Sequence, residues 1–268
     1  MSNLVRLGRD ADGGYLLPRV VLEEANGCLS LGLGVEWSFE KAFFELKRDS
    51  ISSDSIVFYD ASISIFGIIK LLVYMARRTF NEIRIKKPRS ERKFTLSDWQ
   101  RSLIALVTYL PAFKIRKNRF THIRKFVVGT PNKNNECSLS EALNHRKDPK
   151  NTIVKMDIEG GEWGILRDKK DVDLLTDTPV LIMEIHDTRI QEFKDLLSLL
   201  KINFWIAHVH GNTSGKGTEL GMPLILEMTF VNKRYSPGDG IREKLPIDGL
   251  DFPGRPGEVP YEFEFNNS

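Results

Sequence analysis

Three carboxylates fall within six residues in the stretch Lys155-Met156-Asp157-Ile158-Glu159-Gly160-Gly161-Glu162-Trp163. Glu162 has a simple explanation, as an acid at the start of a helix that favours negative charge there. Asp157 does not, because it ends an apolar strand-like run, and it shares a face with Glu159 if the strand continues that far. A cluster of this kind suits a cationic ligand or a metal ion. Further on, Glu184 and His186 alternate at the end of one apolar run, and His208 and His210 at the end of the next. Imidazole titrates near neutrality, so His186 and His210 are candidates for removing a proton from a hydroxyl. Asp157 and Glu159 are candidates for orienting acceptor or cofactor. Upstream, Gly32-Leu33-Gly34 permits close backbone approach to a ligand, and Asp60 ends the next run, placed to accept hydrogen bonds from ribose hydroxyls. Trp37 stands where a dinucleotide fingerprint wants its third glycine, so a pyrophosphate is weakly supported and a nucleoside lacking phosphates fits better.

These residues need a frame, and the chain supplies one. Runs rich in β-branched residues at Gly27–Leu33, Ser55–Asp60, Arg124–Gly129, Thr152–Asp157, Val180–His186, Phe204–His210 and Leu224–Val231 read as seven strands. Helical spacing lies between them at Ser38–Arg48, Glu162–Leu175 and Arg189–Leu200. Alternation of this sort predicts an α/β fold: a Rossmann-like, seven-stranded, mostly parallel sheet with helices on both faces. In such sheets ligands bind beyond the carboxyl ends of the strands, where strand order reverses. That is where the polar residues above would gather.

Residues 61–123 interrupt the rhythm and read as a basic helical insertion. Ser62–Arg78 is apolar nearly all round, but Lys70 in its middle disqualifies it as a membrane span. Ser97-Asp98-Trp99-Gln100 resembles a capping box opening a second helix that Pro111 ends. After Tyr235 the chain becomes Pro- and Gly-rich, and a late strand is expected around Tyr261, Phe263 and Phe265. The whole, residues 1–268, reads as one domain with an insertion and a tail at 235–268.

Charge is unevenly distributed. Between Lys70 and Lys125 there are 16 lysines and arginines against 3 acids, whereas the remainder carries 23 basic and 33 acidic residues. The formal net charge of +3 hides that contrast. A basic, partly apolar segment suits anionic lipid headgroups or another anionic polymer; two buried helices with a solvated basic face would show the same composition. Two isolated cysteines, Cys28 and Cys137, match neither a zinc ribbon nor a disulfide scaffold. No apolar signal core follows Met1, so a cytoplasmic location is expected, at the inner membrane face if the basic segment binds lipid.

Several segments together resemble the FkbM-type branch of class I S-adenosylmethionine (SAM)-dependent methyltransferases. They are Arg6, Gly8 and Asp12-Gly13-Gly14-Tyr15; Ser30 to Gly34 with Trp37-Ser38-Phe39-Glu40; Tyr59-Asp60; Lys155 to Trp163; Glu184 with His186; His208 to Asn212; and Glu227 to Phe230. The resemblance implies SAM as cofactor, with Gly32 and Gly34 against its amino-acid portion, Asp60 on its ribose, Gly129 and Thr130 bordering adenine, and Asp157 also near it. Trp37 or Trp163 would face a cation, or simply pack. It further implies methylation of a hydroxyl on a sugar, polysaccharide or other glycan-like acceptor. A second reading has Asp157, Glu159, Glu184 and a histidine hold Mg²⁺ or Mn²⁺, although no spacing here is diagnostic of a metal. The competing class is a catalytically weak protein of the same fold that binds an anionic membrane or polymer through residues 70–125. Nucleic acid is the less expected partner, since neither an Asn-Pro-Pro-Tyr-like nor a Pro-Cys motif is present.

Overall fold

A computed structural model describes residues 4–10, 13–34, 36–51, 55–88, 99–100, 102–106, 120–189, 191–213, 222–235, 243–254 and 258–265. Its centre is a seven-stranded sheet. The chain opens with a hairpin, β1 (Leu4–Leu7) and β2 (Tyr15–Pro18), followed by the short helix α1 (Arg19–Glu24). The sheet is then built from β3 (Gly27–Leu31), β4 (Ile56–Tyr59) and β5 (Phe120–Ile123). After the two-residue strands β6 (Phe126–Val127) and β7 (Glu136–Cys137), it continues with β8 (Thr152–Met156), β9 (Val180–His186), β10 (Phe204–Gly211) and β11 (Ile225–Asn232). The spatial order is β10-β11-β9-β8-β3-β4-β5, with β11 antiparallel to both its neighbours and the other pairings parallel. The expected Rossmann-like sheet is therefore present. Its order reverses at β3: the chain moves outward through β4 and β5, then returns to place β8 on the other side.

Both faces are covered, which is why the central strands are apolar on both sides. On one face Cys28, Ile56, Phe58 and Ile153 meet Val21 and Leu22 of α1 and Phe39, Phe43 and Phe44 of α2 (Ser38–Lys47). On the other, Leu29, Leu31, Val154 and Met156 meet four helices. These are α4 (Leu139–Leu143), α5 (Glu162–Ile165), α6 (Lys169–Asp173) and α7 (Gln191–Asn203). Between β4 and β5 runs α3 (Ile65–Arg84), whose first turn is capped by Ser64 accepting from the Gly67 N–H at 2.9 Å.

Four expectations need correction. The third sheet strand is Phe120–Ile123, not Arg124–Gly129; Phe126 and Val127 instead pair with Glu136 and Cys137 in a separate ribbon. The Phe-Val-Val run draws attention by its apolarity, whereas the real strand is an edge strand and carries a mixed sequence. The insertion consequently loses its last four residues to the sheet. Helicity recurs at 99–100 and 102–106, and the capping-box residues Ser97 and Asp98 and the helix-ending Pro111 lie outside the described residues. The single helix expected over Glu162–Leu175 is two, because Asp168 caps a new one by accepting from the Lys170 N–H at 3.1 Å. The tail contains a hairpin rather than a lone strand: β12 (Glu243–Leu245) pairs with β13 (Phe263–Phe265).

That tail is fastened to the sheet by charge. His208 Nε2 lies 3.0 Å from Asp251 Oδ2, and His210 Nδ1 lies 3.3 Å from Asp251 Oδ1. Burial alone would raise the Asp251 pKa, but the hydrogen bonds from His208 and His210 outweigh it and hold the carboxylate well below its usual range. The same contact, against the opposing effect of burial, raises the pKa of His210. Asp251 is about 1% exposed, so removing its charge leaves two imidazoles facing a neutral partner. Asp251→Asn should cost about 3 kcal/mol in chemical unfolding. Because the Asp251 pKa is depressed, its contribution is complete above the ordinary carboxylate range and is lost progressively as pH falls from that range towards the depressed value. A penalty under about 0.5 kcal/mol, typical of a surface substitution, would rule out the clamp.

Candidate functional site

At the carboxyl ends of β3, β4, β8 and β9 lies a cavity of about 560 Å³, lined by Gly32, Leu33, Gly34, Tyr59, Asp60, Phe126–Val128, Lys155, Asp157–Glu159, Glu184, His186 and Asn212, among others. A smaller one of about 160 Å³ opens at the opposite end, near Asn26 and Thr152. The larger sits at the strand-order reversal, where open α/β sheets bind ligands.

Its floor is a close approach of backbones. β3 and β8 keep pairing past their ends, with the Asp157 N–H donating to Leu31 O at 2.9 Å. Gly32 follows with φ +81°, and a Cβ there would lie 1.7 Å from Asp157 O. No other residue fits. Asp60 then ties two loops together. Its Oδ2 accepts from the N–H groups of Leu33 (2.9 Å) and Gly34 (3.0 Å), and its Oδ1 accepts from Ser62 N, Ser62 Oγ and Ile63 N. Burial would raise its pKa; the bonds from Ser62, Gly34 and Leu33 outweigh that and lower it. Asp60 lines the cavity, but as placed both its oxygens are engaged by the protein itself.

Beneath the carboxylates lies a residue that the sequence reading passed over as a site. Lys155 is buried, with Nζ 3.4 Å from Glu40 Oε1 and 3.5 Å from Asp157 Oδ2, and 5.5 Å from the Tyr15 ring centre. Glu40 is itself fully buried and accepts from Ser30 Oγ at 2.6 Å. Burial disfavours the ammonium, yet Glu40, Asp157 and Glu184 together raise the Lys155 pKa. Beside it Glu184 is pushed up to about 10 by burial, by the charges of Asp157 and Glu227, and by its hydrogen bond to Asp157. Asn212 Nδ2 donates to Glu184 Oε1 at 3.0 Å and to Glu227 Oε1 at 3.2 Å.

His186 stands at the rim. Buried Glu162 Oε1 accepts from the His186 backbone N–H at 2.6 Å and lies 3.0 Å from Nδ1, while Glu159 Oε2 is 3.6 Å from Nε2. Burial opposes charging the ring, but its contacts with the Glu159 and Glu162 carboxylates win and lift its pKa to about 10. Glu162 is therefore more than a helix-start acid: it holds the imidazole in place. Trp163 Nε1 donates to His186 O at 2.6 Å, so it anchors that strand end instead of facing the cavity, and Trp37 packs against the core below α2.

Asp157, Glu159 and His186 are thus brought together with Gly32, Gly34 and Asp60 around one cavity. His210 is not, being committed to Asp251. Gly129 and Thr130 do not line it either. Gly129 packs against the Gly164 backbone, where a Cβ would lie 1.7 Å from Gly164 O, Thr130 is exposed, and Phe126–Val128 form that wall. Among the described residues no three His, Cys, Asp or Glu side chains gather closely enough to hold a metal ion, so the metal reading has no donor set there.

Residues 92–211 match the family model of the Methyltransferase FkbM domain. That stretch belongs to the FkbM methyltransferase family. The matched span includes β5, β8, β9, β10 and the Asp157–Glu162 loop, while Gly32, Gly34 and Asp60 precede it. No curated protein and no solved structure matches the chain. The match supports a methyltransferase, and the family it points to implies SAM as methyl donor. The cavity fits that group. Its volume is that of a small-molecule site, its carboxylates complement a sulfonium and an ammonium, and Gly32 supplies a cradle that any Cβ would fill.

Gly32→Ala should therefore weaken SAM binding at least tenfold in calorimetric titration, since the left-handed conformation and the contact with Asp157 O are both violated. Gly160→Ala is the control: its φ is +91°, but a Cβ there meets nothing within 4 Å. It should bear only the conformational cost and keep most of the affinity. Equal binding by both variants would remove the glycine floor from the site.

Proposed function

We propose that this FkbM methyltransferase transfers a methyl group from SAM to a hydroxyl of a sugar or other glycan-like acceptor, with His186 taking the hydroxyl proton. The observation that carries the reading is the seating of His186, an imidazole held by buried Glu162 on one nitrogen and facing Glu159 on the other, at the rim of a carboxylate-lined cavity. When bound, SAM supplies an electrophilic methyl on a sulfonium whose leaving group is a neutral thioether. The protein has to hold the acceptor oxygen in line and remove its proton. Asp157 and Glu159 present acceptors for hydroxyls, and Lys155 fixes Asp157 from below. A cation brought into the cavity adds like charge beside His186, which lowers its proton affinity and frees the ring to act as base.

The test has two stages. Titration with SAM and with its demethylated product should show both binding, and incubation with methyl-labelled SAM across a panel of nucleotide sugars and oligosaccharides should label a hydroxyl. Absence of binding at millimolar concentration removes the cofactor assignment; labelling of an amine or carboxylate removes the acceptor assignment.

The pH profile tests His186 separately. A base works in its neutral form, so a group with pKa raised to about 10 gives a rate that climbs with pH through the neutral range. Glu162→Gln removes one of the carboxylates that raise it and should shift that rising limb to lower pH. His186→Gln should abolish the limb and lower turnover roughly 10²–10⁴-fold. A wild-type rate that is flat between neutral and mildly alkaline pH would move proton removal to a carboxylate.

A further inference from the structure

Helix α3 presents a surface that methyl transfer does not use. Phe66, Ile69, Val73, Ala76, Phe80 and Ile83 recur at alternating spacings of three and four, and all are exposed, Phe66 by 78% and Phe80 by 67%. Spacing of this kind forms one continuous apolar stripe along a helix. A different face of the helix is covered. Ile68, Met75 and Glu82 are buried, and Ser102 Oγ lies 3.5 Å from Met75 Sδ. Lys70, Arg77 and Arg84, seven residues apart, are exposed and border the stripe along one side. No helix among the described residues is long and apolar enough to cross a membrane.

The charge row decides what covers the stripe. A second copy packing stripe to stripe would use it as the seam of a coiled coil, with Lys70, Arg77 and Arg84 at the flanking positions that set partner and orientation. An antiparallel partner would set this cationic row against itself, and a parallel one would set it against Leu72 and Thr79; neither brings an acid. An anionic bilayer satisfies both features at once, since apolar side chains enter the headgroup boundary while the cations stay at the level of the phosphates.

We propose that α3 is a membrane-surface helix, lying with Phe66, Ile69, Val73, Phe80 and Ile83 in the boundary layer of an anionic bilayer and Lys70, Arg77 and Arg84 on its phosphates. The enzyme would then meet acceptors at a lipid surface. The interaction stands apart from the catalytic reading, because its readout needs neither SAM nor turnover.

The experiment is flotation of the full chain with mixed phosphatidylglycerol–phosphatidylcholine vesicles and with pure phosphatidylcholine vesicles, at low and high salt. Binding is expected to the mixed vesicles only and to weaken with salt. Substituting Lys70→Gln, Arg77→Gln and Arg84→Gln together should weaken it on the order of 100-fold, given the usual contribution of a basic residue near such a surface. Phe66→Ser with Phe80→Ser should weaken it roughly tenfold or more at unchanged charge. All five side chains are exposed, so both variants should keep the wild-type melting temperature. Sedimentation velocity without lipid should show the same species for wild type and the phenylalanine variant. Equal flotation with both vesicle types, no flotation at low salt, or a dimer that dissociates on loss of the phenylalanines would each overturn the proposal, the last in favour of a second copy.

Discussion

A buried ammonium group cannot stand alone in a protein core, and much of this structure follows from how Lys155 meets that constraint. Leaving water costs an ion several kcal/mol even after relaxation. Lys155 must therefore be met by opposite charge, and it is met from two directions: by Glu40 of α2, behind the sheet, and by Asp157 at the end of its own strand. The pairing joins the helix layer to the cavity floor. It also fixes Asp157 beside Glu184, whose pKa is raised by burial first and then by the charges of Asp157 and Glu227. One internal cation thus ties the helix layer to a carboxylate that faces the cavity.

The same economy appears around the rim. Glu162 serves the His186 backbone and its ring together, and Asp60 fastens the loop after β3 to the loop after β4. His208 and His210, although they sit on a strand end like His186, are turned to Asp251 and close the tail over the sheet. Strand-end histidines with the same sequence signature therefore do different work. One is available at the cavity and two are used in cohesion.

Most of the sheet could be read from the chain because central parallel strands are buried on both faces and must be uniformly apolar; Thr152–Met156 and Val180–His186 declare themselves. Phe120–Ile123 did not, since an edge strand is under weaker demand and its Thr121 and His122 remain part-exposed. The carboxylate loop after β8 and the glycines after β3 were visible as departures from what strands and helices require. Lys155 and Glu40 were not, because a lysine next to an acid and a glutamate in a first helical turn are ordinary in sequence. Only their shared burial makes them informative.

By itself the sequence determined the alternation of strands and helices, the glycine-bearing and acid-bearing strand ends, the concentration of positive charge between Lys70 and Lys125, and a resemblance to the FkbM methyltransferases that residues 92–211 bear out. Tertiary structure decided which of the polar strand ends converge, that Phe126–Val128 and not Gly129-Thr130 line the cavity, and which face of α3 is left to solvent. The reason is the range of the forces. Burial and backbone conformation act residue by residue and leave their mark in local pattern, whereas a charge finds its partner through space, across loops and between layers, and no spacing along the chain records which one it will be.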